Sequence, residues 1–299
     1  MAHDKNDIPD SNLYIVIKVV RNEDLYQQIG RDVYFDLVDP EKVHSFQVLR
    51  STRFHHFKEV VAEQFGVPLQ LQRFWLWAKL QNETYRPHHL LTQEEETQYV
   101  YQLKKVPTKA GKLELILFLE VLQTVPNVYT LHQPHKTGED ILLFFKLYDP
   151  ESAEIRYVGK LFVKGSAFPQ DILKKLNDMA NFAHNEEIKL YEEIKSVPTV
   201  MCDIVNMKLT FLDNQLENGD IICFQKAHMN SRYPDIPSLL GLILRCQGLL
   251  RYEGLQEAKL KVSATKDKLQ KAEEKVIAIK VELKEAEANV GALEAMMNS

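Results

Sequence analysis

Three cysteines, Cys202, Cys223 and Cys246, are the thiols that could act as nucleophiles in this 299-residue sequence. A thiol protease needs such a cysteine beside a histidine base and an orienting Asp or Asn. Small and polar residues around it build the oxyanion hole. None of the three has that setting. Cys202 follows Met201 in a stretch read as loop, Cys223 lies inside the apolar run IICFQK, and Cys246 lies in the apolar stretch 238–250. Their number is odd and their spacing matches no zinc or redox pattern, so they read as reduced, structural thiols. The histidine pairs His55-His56 and His88-His89 are no better as metal ligands. Adjacent residues do not share a helix face, and no second ligand set stands at metal spacing. No metal and no cofactor is expected. Glu217, Asn218, Gly219 and Asp220 then form an acidic turn, in which Asn-Gly is a favoured hairpin dipeptide.

The elements that would carry these groups follow from periodicity. Residues 13–20 (LYIVIKVV) and 43–50 (VHSFQVLR) read as strands. Residues 54–65 place Phe57, Val60, Val61 and Phe65 on one helical face, with Gly66 as the stop. Apolar segments follow at 69–77 and 113–122, separated by an acidic insertion at Glu94, Glu95 and Glu96. In 69–77, Phe74 and Leu76 are expected on one side of the strand and Trp75 and Trp77 on the other, with Trp77 half exposed. The order then repeats: strands at 141–148 and 155–163, a helix within 166–182, and strands at 188–194 and 221–226. Strand–strand–helix–strand–strand in about 90 residues fits a small mixed sheet wrapped over one helix. The fold class is therefore α+β: two tandem ubiquitin-like β-grasp domains, followed by a long α-helical coiled coil. The expected boundaries are a flexible N-terminus at 1–12, a first domain at 13–124, a second at 138–227, a linker and short helix at 228–254, and a coiled coil at 255–299.

The coiled coil rests on one unbroken heptad register. Its a and d seam carries Leu255, Val262, Leu269, Val276, Ile279, Leu283, Val290 and Leu293. The seam predicts a homodimer. Its flanking charges favour an antiparallel pairing, in which Lys268 meets Glu282, Lys266 meets Glu287 and Glu273 meets Lys280.

Composition narrows the function classes. With 45% hydrophobic and 26% charged residues, most of the chain can bury a core. A net charge of 37 − 42 = −5 gives no electrostatic footprint for specific nucleic-acid binding. The N-terminus lacks the apolar core of a secretory signal, and 238–250 is too short and too polar to span a membrane. Nucleus and cytoplasm are the expected compartments.

Three stretches, QRFWLWAKLQNETYRP (72–87), EDILLFFKLYDP (139–150) and GDIICFQK (219–226), together with RYPDIPS (232–238), carry a resemblance. They resemble the C-terminal ubiquitin-like region of plant ubiquitin-specific proteases, which is related to that of the herpesvirus-associated ubiquitin-specific protease. The resemblance covers roughly residues 10–237. It implies cysteine-type deubiquitinases built from a substrate-recruiting domain, a papain-like catalytic domain and several ubiquitin-like domains, of which this chain would hold the first two. A third would begin near 248–254, where the sequence departs into the heptads. The resemblance also implies that acidic residues at the turn of the second ubiquitin-like domain bind Lys-rich segments of partner proteins. Asp220 and Gly219 match that motif. Asn218 stands where the family has a second acidic residue, and Glu217 lies next to it. The expected function is a non-catalytic protein-interaction module that binds partners and self-associates. The alternative is a part of an active ubiquitin-specific protease.

Overall fold

In the computed structural model, residues 13–80, 84–103, 105–107, 113–122, 139–150, 152, 154–195 and 201–227 are described, with separate positions from 236 to 287. The chain divides into two units, Met1–Leu242 and Ile243–Ser299.

The first unit holds two sheets. β1 (Tyr14–Arg21) is followed by helix α1 (Asn22–Gln28), β2 (His44–Leu49), helix α2 (Phe54–Phe65), β3 (Gln72–Lys79), β4 (Tyr85–Leu90), the short β5 (Val106–Pro107) and β6 (Leu113–Val121). The strand order is β2-β1-β6-β3-β4, with β5 added to β6. β1 and β6 run parallel at the centre, with Ile17 opposite Leu115 and Val19 opposite Leu117. The second sheet comes from β7 (Asp140–Asp149), β8 (Glu154–Lys164), helix α3 (Leu173–Ala180), β9 (Ile188–Lys195), β10 (Met201–Ile204) and β11 (Ile221–Lys226). Its order is β10-β9-β11-β7-β8, with β7 and β11 parallel at the centre. Both sheets thus share one topology: first and last strands parallel and adjacent, the first hairpin on one side, the third strand and its partner on the other. Each is a mixed sheet closed over one helix, as the repeated element order leads one to expect.

Each module closes on its helix. Phe54, Phe57 and Val61 of α2 are buried against Ile17, Phe74, Leu76 and Leu117. The face is rotated from the one expected: Phe54 points in and Val60 points out. Gly66 stops the helix in the left-handed region (φ +67°), its N–H bonded to the Ala62 carbonyl at 2.8 Å. In α3, Leu176 and Ala180 enter the second core beside Leu143, Phe145 and Phe224. Asn177 Nδ2 donates to the carbonyls of His184 and Glu186, which ties down the loop after the helix.

The two modules pack through the outer faces of their sheets. Residues alternate along a strand, so Leu115, Leu117 and Leu119 of β6 fill the first core. Phe118 and Glu120 turn toward the second module, where Phe118 meets Phe144 edge-on at 5.4 Å and Glu120 accepts from Lys160 Nζ at 3.0 Å. Trp75 sits 6.1 Å from Phe162. On β7, Leu143, Phe145 and Leu147 fill the second core, while Phe144 and Lys146 point the other way. This two-sided burial explains the near-continuous apolar run of β7. It also corrects the expectation for Trp77, which is 5% exposed. Helix α1, which sequence periodicity did not reveal, docks against β8: Tyr26 stacks edge-on to Tyr157 at 4.8 Å, and Tyr157 donates its hydroxyl to Asn22 Oδ1 at 3.0 Å.

The coiled coil expected over 255–299 lies largely outside the described residues. The positions described between Lys261 and Glu287 are helical. Of the seam, Val276, Ile279 and Leu283 are 50%, 61% and 57% exposed. Leu255, Val262, Leu269, Val290 and Leu293 fall outside the described set, as does Cys246. No helix among the described residues is long and apolar enough to cross a membrane.

Candidate functional site

The 217–220 turn leads into β11, which is gripped by its neighbours on both sides. Its backbone is fixed by three bonds: Gly219 N–H to Leu142 O at 2.8 Å, Phe144 N–H to Asp220 O at 2.9 Å, and Asp220 N–H to Glu217 O at 3.2 Å. Asn218 uses its side chain for the same purpose, Oδ1 accepting from Leu142 N–H at 2.8 Å. Gly219 adopts φ +95°, and a Cβ there would stand 2.7 Å from Cβ of Arg86. Any side chain would therefore force the first module away from the turn. Asn218 and Gly219 thus shape the turn, while Glu217 and Asp220 supply charge.

Those two carboxylates line a pocket of about 420 Å³. Glu192 of β9 and Asp203 of β10 line it too, and Ile194, Ile204 and Val205 form an apolar wall. Sequence reading placed Glu217 and Asp220 together but missed Glu192 and Asp203. Nothing local marks them. They reach the turn only through the pairing of β9 with β10 and β11, which sets Asp203 opposite Glu192 and Glu192 opposite Ile222.

The electrostatics follow from crowding like charges in a half-dry site. Asp220 is 3% exposed. Burial and the Glu217 carboxylate push its carboxyl up to about 7, against the bond from the Glu217 N–H and the charge of Arg86. Burial, then Asp220, Asp203 and Glu217, push Glu192 up to about 8, again opposed by Arg86. An ammonium group entering here would meet four acceptors and relieve their mutual repulsion. The aliphatic stem of a lysine matches the apolar wall. Among the described residues β10 is the edge strand of its sheet, the position at which an added strand would pair.

The other singled-out groups do not line this pocket. Cys202 belongs to edge strand β10 rather than to a loop. Burial, then the Glu193 carboxylate, push its thiol up to about 12, and burial holds the Cys223 thiol well above its ordinary value. Both are protonated at neutral pH and poor nucleophiles. His55 and His56 are exposed on α2. His88 and His89 lie in β4: His88 Nδ1 contacts the Asn218 carbonyl at 3.0 Å and His89 pairs with Glu95 at 2.9 Å.

Comparison with known proteins places this architecture. The profile of the ICP0-binding domain of Ubiquitin-specific protease 7 matches residues 72–274. That span runs past residue 237, so the family likeness continues into part of the heptad run instead of ending at 248–254. The chain is 51% identical over 253 residues to Ubiquitin C-terminal hydrolase 13 of Arabidopsis thaliana, covering 83% of this chain and 22% of that protein. It is 52% identical to Ubiquitin C-terminal hydrolase 12 of the same plant, with the same coverage. Ubiquitin carboxyl-terminal hydrolase 5 of Schizosaccharomyces pombe is 30% identical over 76% of this chain and 20% of its own length. The chain therefore spans about a fifth of the length of the curated relatives it matches. Among solved structures, the C-terminal ubiquitin-like domain of mouse tubulin-specific chaperone e covers 33% of this chain and 98% of its own, at 17% identity and TM-score 0.26. By the profile match and by these identities, the chain belongs to the family of the ICP0-binding domain of ubiquitin-specific protease 7, a deubiquitinase-related module.

Proposed function

We propose that the chain is a non-catalytic protein-interaction module of the nucleus and cytoplasm, whose acidic pocket takes lysine side chains from partner proteins. The pocket of Glu192, Asp203, Glu217 and Asp220, walled by Ile194 and Ile204, carries this reading. Membership of a family described by its binding of ICP0 supports an interaction role. The absence of a cysteine box in the sequence and the protonated state of Cys202 and Cys223 support a non-catalytic one. The second reading is that the chain forms part of an active ubiquitin-specific protease. It is favoured by 51–52% identity to hydrolases of which the chain covers 22%.

Titration of a fluorescein-labelled penta-lysine peptide at low salt tests the site. Glu217→Lys and Asp220→Lys are each expected to weaken binding at least tenfold, because each turns an attraction into a repulsion. Asn218→Asp should strengthen it, since the aspartate keeps the acceptor for Leu142 N–H and adds charge. Unchanged affinity in both Lys variants rejects the pocket. Cleavage of a fluorogenic ubiquitin substrate by the same preparation, lost on substitution of Cys202, Cys223 or Cys246, establishes the second reading instead.

The seam residues Leu255, Val262, Leu269, Val276, Ile279, Leu283, Val290 and Leu293 support self-association as an antiparallel dimer, since an apolar heptad stripe is stable only when covered. With single cysteines at Gln256 or Ser299 in a chain lacking its native ones, mixed 256–299 disulfides should outnumber 256–256. Preferential 256–256 crosslinking rejects the orientation. A monomer by sedimentation at about tens of micromolar, far above the affinity of stable coiled coils, rejects the dimer.

A further inference from the structure

Between the two modules lies a cation that the first module only partly satisfies. Arg86 of β4 is 2% exposed. Its Nη1 pairs with Asp36 and donates to the Tyr85 carbonyl. Its Nη2 is buried without a hydrogen-bond partner. A buried guanidinium nitrogen left unpartnered is costly, so a compensating field is required. The second module supplies it. Arg86 Cβ lies against Gly219, the residue before Asp220, and its charge acts on Asp220, Glu192 and Glu193 together. The first module thus sets the Cβ of Arg86 against the part of the turn where only glycine fits, and its guanidinium, paired with Asp36, is a positive charge felt by the carboxylates of the second module.

We propose that Arg86 is a positioning residue for the pocket of the second module: it sets the potential that an entering lysine meets, and so ties the pocket's affinity to the packing of the two modules. This rests on the pocket being the lysine site argued above. The charged and titratable groups around it are Glu192 of β9, Asp203 and Cys202 of β10, and Glu217 and Asp220 of the turn. From the first module come Arg86 and His88, whose Nδ1 lies 3.9 Å from Glu217. The Asp36–Arg86 pair and the Glu193–Lys146 pair stand behind them. Arg86 acts on the pocket in two opposing ways. It repels a cationic ligand directly. It also keeps Asp220 and Glu192 more ionised than they would otherwise be at neutral pH. Losing it should weaken lysine binding where the carboxylates protonate, and strengthen binding where all of them are ionised.

The experiment compares the full chain with its Arg86→Met and Arg86→Lys variants, using the penta-lysine peptide from pH 6 to 9.5. Side-chain carboxyl titrations of Asp220 and Glu192 are followed by carbon NMR in the unliganded proteins. Arg86→Met should raise both carboxyl midpoints, because the charge that lowers them is gone. Its affinity should fall several-fold below wild type at pH 6.5 and exceed it at pH 9.5, so the two profiles cross. Arg86→Lys keeps the charge and should restore the wild-type profile. A purely structural role predicts a uniform loss at every pH and unmoved midpoints, and either result overturns the proposal. Should the wild-type chain bind no peptide, the function proposed above fails, and the carboxyl titrations still decide for or against Arg86.

Discussion

Lys146→Met should destabilise the two-module unit by about 3–5 kcal/mol, because it strands a carboxylate in a dry interface. Lys146 and Glu193 are both fully buried. Lys146 Nζ donates to Glu193 Oε1 at 2.8 Å and Oε2 at 3.0 Å, and to the Tyr34 carbonyl at 3.1 Å. The backbone N–H of Asp36 donates to Glu193 Oε2 at 3.2 Å. The pair thus sits on the second sheet but receives two of its bonds from the first module. Burial raises the Glu193 carboxyl above its ordinary value despite the lysine beside it. Removing the lysine leaves that carboxyl either charged and unpaired or neutral and short of partners. Replacing both members with apolar groups, Lys146→Met with Glu193→Leu, should recover much of the loss, since a buried ion pair is seldom worth more than well-packed carbon. Urea denaturation of the full chain measures all three proteins. A single-variant loss below about 1 kcal/mol, the scale of a surface pair, would show that water reaches the pair.

The pair also illustrates what sequence could and could not show. Alternation exposed β1, apolar runs exposed β7 and β11, and the repeated element order exposed two modules of one pattern. Each module was nevertheless read alone. Lys146 drew no attention within its strand and Trp77 read as half exposed, because nothing in the sequence says that one sheet face lies on another. β4 and β10 escaped notice for local reasons. YRPHHL carries a proline, which normally argues against a strand interior but is tolerated at an edge, and MCDI is too short to show a period. The turn residues Glu217 and Asp220 were legible, because turn chemistry is local. Glu192 and Asp203 were not, although one clue was present. Glu192 and Glu193 are neighbours on a strand and must point to opposite faces, so one of the two had to face away from the inter-module surface that buries the other.

That outward glutamate yields the second large effect. Glu192→Gln should stabilise the protein by about 2 kcal/mol at pH 8.5 and by almost nothing at pH 4. The carboxyl of Glu192 is raised from an ordinary 4.5 to about 8 by burial and by Asp220, Asp203 and Glu217. Between those two pH values the unfolded chain has released a proton that the folded chain still holds, so stability falls as pH rises through the window. Below pH 4.5 both states are protonated and the stabilisation is fully present; above about 8 it is lost. At roughly 1.4 kcal/mol per pH unit the loss is bounded near 5 kcal/mol, and the relief is smaller because Asp220 carries part of the same repulsion. A neutral glutamine keeps the shape and removes the charge, so its advantage should grow along the same window. The substitution should also weaken penta-lysine binding, since the repulsion that strains the empty pocket is what an ammonium group relieves. Thermal unfolding of both proteins at pH 4, 6, 7 and 8.5 tracks the difference. An equal gain at every pH would trace the effect to packing. No gain at pH 8.5 would show that the four carboxylates share their pocket without strain, and would remove the physical reason for a lysine to enter it.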